Sequence, residues 1–176
     1  AEALKIWSVL ATEQPDRYNE EVGRTLSNRA YVLCETANLE AARAELRDAC
    51  AAWSQTLRSG GKDILEHYAC AFNNLGRVEL ALGDFQSARN AYLRSLEVFC
   101  ALAKHWPSLY QDRVGLALNG VSVAQHGLKD HTAAIEHCAM AVELFRARAS
   151  QEPIVYEPEL AMTLNNLATY QRALGQ

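Results

Sequence analysis

Trp7, Trp53, Phe99 and Phe145 stand 46 residues apart, so one position of a repeating unit is filled four times by a large aromatic ring. The same step carries Tyr18 through Ile64 to Tyr110 and Tyr156, and Ala42 to Ala88 to Ala134. It also carries TLSNRA at 25–30 onto AFNNLG at 71–76, ALNGVS at 117–122 and TLNNLA at 163–168. A period of this length marks stacked units that bury their apolar faces only against their neighbours. Function then belongs on the surface that the stack presents, because no single unit encloses a cavity. The register gives a partial unit 1–15, full units 16–61, 62–107 and 108–153, and a partial unit 154–176, together one repeat domain over 1–176.

Inside each unit the apolar residues recur at helical spacing. Ala42, Leu46, Ala49, Cys50 and Trp53 fall on one stripe of a 3.6-residue helix, and Ala134, Cys138, Ala141, Val142 and Phe145 repeat it. Val22, Leu26 and Leu33 form a similar stripe in the first half of a unit, interrupted by Arg29. Helix ends fall in register too. Ala37-Asn38, Gly83-Asp84 and Lys129-Asp130 combine a helix-ending residue with a capping Asn or Asp. Pro15, Pro107 and Pro153 mark the other junction, which Gly61 occupies in one copy. Each unit is therefore two antiparallel helices, and the chain is all-α. The spacing predicts helices over 1–13, 17–36, 39–58, 64–82, 85–104, 109–128, 131–150 and 157–174. Asn119-Gly120 is a hairpin signal in isolation. The register overrules it, since Asn73-Asn74 and Asn165-Asn166 hold the same slot inside helical patterns.

The 49% apolar and 22% charged composition is that of a well-packed chain without a membrane-spanning run or a basic-then-apolar secretory leader. A formal charge of −4 argues against nucleic acid, whose affinity comes from Lys and Arg displacing counterions. Cys34, Cys50, Cys70, Cys100 and Cys138 are odd in number and scattered over repeat positions, as small packed thiols would be. A reducing, cytoplasmic setting is expected from that usage. Opening on Ala1 inside a helix, the chain reads as a piece excised from a longer protein.

Phe72, Leu75 and Gly76, followed by Ala88, Tyr92 and Ser95, resemble a tetratricopeptide repeat. The third unit offers Leu118, Val121, Ser122, Ala134, Cys138 and Ala141 in the same order. The departure is length, 46 residues against about 34 for the family's usual unit. Long units reading LNNLA resemble those of kinesin light chain and bacterial multi-repeat proteins, and TLNNLATYQRALG at 163–175 is similar to that wording. The resemblance implies an α-solenoid of about eight helices, a right-handed superhelix whose leading helices line a concave face that binds proteins or peptides.

On that face the resemblance places Asn73, Asn74 and Arg77, with equivalents Ser27, Asn28 and Tyr31; Asn119, Gly120 and Val123; and Asn165, Asn166 and Thr169. An amide ladder of this kind pairs with the peptide groups of an extended segment, since each Asn both donates and accepts. Arg24, Arg77 and Arg172 add charge that favours an acidic partner. The alternative is that the amides bond between neighbouring units and fix their stacking. Ser27 and Tyr31 disfavour the carboxylate clamp that some family members carry.

No enzymatic constellation emerges, and no catalytic residue, cofactor or metal is assigned. His126 and His131 are five apart and His131 and His137 six apart, neither matching the four-residue spacing of ligands on one helical face. Adjacent His137 and Cys138 point in different directions. Ser59-Gly60-Gly61-Lys62-Asp63 lacks the strand and the Ser or Thr of a phosphate loop and reads as a turn. Trp106 beside Pro107 is expected to pack over a turn, or else to mark a contact edge. A protein- or peptide-binding module is the leading expectation, and end-to-end self-association through apolar terminal helices is the alternative.

Overall fold

Proline has no backbone N–H and a fixed φ, which suits the first turn of a helix, where the N–H lacks a partner in any case. Three helices of this chain accordingly begin on Pro15, Pro107 and Pro153. The computed structural model describes residues 2–58 and 64–175, and the Ser59–Asp63 turn expected from the sequence lies outside them. Eight helices fill the described residues: α1 (Glu2–Glu13), α2 (Pro15–Glu35), α3 (Leu39–Arg58), α4 (Leu65–Ala81), α5 (Phe85–His105), α6 (Pro107–Gly127), α7 (His131–Ala149) and α8 (Pro153–Leu174). No strand occurs among those residues. The spacing pattern alone started α2, α6 and α8 two to four residues too late, because apolar periodicity does not register a proline at the first helical position. Asn119 and Gly120 are helical and buried, as the register requires.

The second kind of junction is built differently. Ala37, Gly83 and Lys129 share one repeat slot and all take positive φ, at 55°, 79° and 66°. A left-handed residue turns the chain out of the preceding helix and lets the freed carbonyls find donors. Asp84 then caps α5 by accepting from the Ser87 N–H at 3.0 Å, and Asp130 caps α7 by accepting from Ala133 N–H at 3.2 Å. Glycine occupies this slot without penalty, whereas Ala37 and Lys129 carry a Cβ there at a cost of about 1 kcal/mol each.

The chain divides into two compact units, Ala1–Gly83 holding α1 to α4 and Asp84–Gln176 holding α5 to α8. In the first, α1 packs on α2, α2 on α3 and α3 on α4, with a lighter contact between α2 and α4. In the second, α5 packs on α6, α6 on α7 and α7 on α8, with α6 lightly touching α8. The repeated aromatic explains the close approach within each pair. Trp53 of α3 packs against Gly23 of α2, where a Cβ would come within 2.6 Å of the ring. Phe145 of α7 lies likewise on Gly115 of α6, at 2.9 Å. Trp53, Phe99 and Phe145 are buried, as are Ala42, Ala88 and Ala134. Trp7 is only half-buried and stacks on Tyr18 with ring centroids 5.9 Å apart. Arg29, the residue that interrupts the apolar stripe of α2, forms an ion pair with Glu45 of α3 at 2.7 Å.

Candidate functional site

The two compact units contain equivalent seams between alternate helices, α2 with α4 in the first and α6 with α8 in the second. In the second, the Asn166 side-chain amide donates to Asn119 Oδ1 at 3.0 Å. Asn119 is buried and Asn166 half-buried, so this seam is closed by an amide pair. In the first unit the same two repeat slots hold Ser27 and Asn74. Serine places its oxygen directly on Cβ, one atom closer to the backbone than an asparagine oxygen. Its Oγ is buried with no hydrogen-bond partner among the described residues. Asn74 is exposed, and its side chain likewise makes no hydrogen bond to them.

The unclosed seam is a groove of about 280 Å³. Ser27, Ala30, Tyr31, Cys34 and Glu35 of α2 form one wall, and Asn74, Arg77, Val78 and Ala81 of α4 the other, over Leu39 and Leu46 of α3. Leu46, Ala30 and Val78 supply an apolar floor, and all three are buried. Polar groups stand along the rim. Arg77 and Glu35 are exposed and take part in no ion pair with the described residues. Behind the groove, the Glu79 carboxylate is buried and receives Arg47 from α3 at 2.6 Å, with Arg43 at 3.7 Å. That pair ties α3 to α4 and positions the wall that carries Asn74 and Arg77.

Of the thirteen residues that the sequence assigned to one binding face, four line this groove: Ser27, Tyr31, Asn74 and Arg77. Asn28 instead lies with Thr25, Arg29, Val32 and Leu33 in a separate shallow depression. Arg24 is held by Glu21 of its own helix at 2.5 Å. Asn73 is half-buried, and so is Val123. Asn165, Thr169 and Arg172 are exposed on α8, with the Thr169 hydroxyl donating to the Asn165 carbonyl at 2.8 Å. Gly120 replaces the amide of its slot for a steric reason: a Cβ there would stand 2.4 Å from the Tyr92 ring. The slot of Tyr92 is filled by Leu46 and Cys138 in the other units, and there the partner is Asn74 or Asn166. A larger residue beneath thus demands a smaller one above.

The cysteines divide more unevenly than a set of packed thiols. Cys50 and Cys138 are buried, Cys34 and Cys70 half-buried, and Cys100 exposed. Burial pushes the Cys50 thiol up to about 12 and also raises that of Cys138, so neither is a thiolate near neutral pH. The Cys138 thiol donates to the Thr163 carbonyl at 3.3 Å, while His137 Nδ1 lies 3.0 Å from the Ala133 carbonyl of its own helix. Trp106 is 53% exposed at the start of α6, which favours the contact-edge expectation over packing. His126 and His131 do not share a helix. One ends α6, the other opens α7, and the intervening turn brings their Nδ1 atoms to 3.1 Å. The single-helix spacing rule missed that meeting. Among the described residues no three His, Cys, Asp or Glu side chains gather as metal ligands, and no helix is long and apolar enough to cross a membrane.

Residues 21–101 match the tetratricopeptide repeat family model, a span that includes both walls of the groove. The crystal structure of BtubC (BKLC) from P. vanneervenii is similar over 99% of this chain and 81% of that one, with a TM-score of 0.53 and 17% identity. No curated protein matches the chain. Repeats of this family generally mediate contacts between proteins. Residues 21–101 thus resemble tetratricopeptide repeats, and the chain has, over 99% of its length, a helical-repeat fold similar to that of BtubC.

Proposed function

We propose that the groove between α2 and α4 binds a short segment of a partner protein. The observation that carries this reading is the pair Asn74 and Arg77, both exposed above an apolar floor and neither engaged by the described residues. Asn74 offers a donor and an acceptor to a peptide group, and the Ser27 hydroxyl beneath it has an unused hydrogen-bonding capacity. The Arg77 guanidinium favours a carboxylate, which makes an acidic side chain or a chain terminus the matching feature of the partner. Glu35, farther along α2, favours a basic residue at the other end of the segment. A volume of about 280 Å³ lies at the lower limit of small-molecule pockets, which suits one or two side chains better than a cofactor.

A peptide array with systematically varied acidic positions, probed with the native chain, tests the reading. Asn74→Ala combined with Arg77→Glu is expected to abolish capture of acid-bearing peptides while leaving Tm within a few degrees, since both side chains are exposed. Equal capture by the native and doubly substituted chains would refute it. Asn166→Ala serves as the contrast, because it removes an internal bond and should alter stability instead.

Self-association is favoured by a separate observation. Helix α8 exposes Ile154, Val155, Met162 and Leu164, and only Thr163 and Tyr170 of it are buried. Sedimentation over a hundredfold concentration range tests this second reading. A constant monomer mass would exclude it.

A further inference from the structure

We propose that the His126–His131 pair is a proton-operated latch that holds α8 while at most one added proton is shared between the rings, and loosens α8 when both rings are protonated. Two imidazole nitrogens 3.1 Å apart form a hydrogen bond only when one carries a hydrogen and the other a lone pair. A neutral pair satisfies that condition, and so does a singly protonated one. With a second proton taken from solvent, both Nδ1 atoms bear hydrogens that face each other, and the bond is lost. Repulsion between two imidazolium charges at that spacing adds to the loss.

The pair is coupled to α8 through Tyr170. Its ring stacks on His126 with centroids 4.6 Å apart and an interplanar angle of 28°. Tyr170 is also the aromatic of a small core with Ala134, Cys138 and Leu167. Tyr170 is one of the two buried residues of α8, so displacement of the His126 ring removes a stacking contact from one of the anchors that dock this helix.

Burial and the cationic neighbours oppose a second proton on the latch, while the carboxylates of Asp130 and Asp84 act the other way. Burial most, then the facing His131, then Lys129 in the turn between them oppose a positive His126, so its pKa lies below the ordinary histidine value. Asp130, the acid of that turn, is engaged in capping α7 through the Ala133 N–H. Helix α5 meets the corner through Phe85, whose ring lies against Gly127, with Asp84 capping α5 beside it. From α8 the facing group is Tyr170, whose hydroxyl burial pushes up to about 12, so it stays neutral throughout. Arg172 is two residues on and therefore turned away from that face. A histidine whose folded pKa is depressed binds protons more readily in the unfolded chain. Its stabilising neutral state is fully populated above the unfolded value, and stability falls as the pH drops through that value toward the lower, folded one.

Hydrogen exchange of the whole chain, corrected for the intrinsic pH dependence of exchange, provides the test. Between about pH 7.5 and about pH 5.5 the amides of α8 are expected to lose roughly three- to tenfold in protection while those at the centre of α6 do not. His126→Phe keeps a ring against Tyr170 without a titrating nitrogen, and His131→Asn removes the facing charge. Both substitutions should flatten the response. Unchanged α8 protection in the native chain, or a response that survives in both variants, would overturn the proposal.

Discussion

The α2/α4 seam and the α6/α8 seam are built from the same repeat slots, yet one is an open groove and the other is bonded shut. In the slot that bonds across the second seam, the difference is a serine against an asparagine. Asn119 reaches across to Asn166, while Ser27 stops short and leaves both its hydroxyl and Asn74 without protein partners. A repeat protein can therefore convert a bonded stacking contact into an open groove by shortening one side chain. The cost is one unmade hydrogen bond, typically about 1 kcal/mol.

The comparison breaks hardest at Gly120. Gly120→Asn should force a side chain into the Tyr92 ring and destabilise the chain by about 1–3 kcal/mol in urea unfolding. Adding Tyr92→Leu, the residue type of the equivalent Leu46 position, should recover most of that loss, and a strictly additive double mutant would show that the two positions are not sterically linked. Asn119→Ser should open the second seam after the pattern of the first, with a loss of about 1 kcal/mol seen as a lower urea midpoint. Ser27→Asn is the reciprocal change. It should close the first groove, abolish peptide capture and gain about 0.5–1 kcal/mol, so a stabilised variant that still captures peptide would dissociate the groove from binding. The smallest effect belongs to the turns: Lys129→Gly should gain a few tenths to about 1 kcal/mol by relieving positive φ, measured as a small rise in Tm. Gly83→Ala should lose a similar amount.

Much of this architecture was open to inference before any coordinates. A 46-residue period, apolar stripes at helical spacing and turn residues in register are local consequences of packing, so they recur wherever the packing recurs. The candidate site was less accessible. The ladder of amides treated Asn28, Asn74, Asn119 and Asn166 as equals because residue type at two adjacent repeat slots was the only criterion. Their surroundings differ. Asn119 and Asn166 consume each other's hydrogen-bonding capacity, Asn28 lies in another depression, and Asn74 stands over the groove. Arg24 and Arg77 looked alike in sequence, but a glutamate three residues away occupies the first. Those distinctions depend on which side chain is long enough to reach a neighbour about 46 residues distant, and no periodicity encodes reach.

The amino-acid order by itself determined the helices, their pairing and the recurrent aromatic position, because each of these follows from spacing along the chain. Tertiary structure alone decided which polar groups were left unspent, which seam stayed open, and that two histidines on different helices meet at 3.1 Å. Hydrogen bonds are settled by tenths of an ångström between atoms far apart in sequence, and only the folded backbone sets those separations.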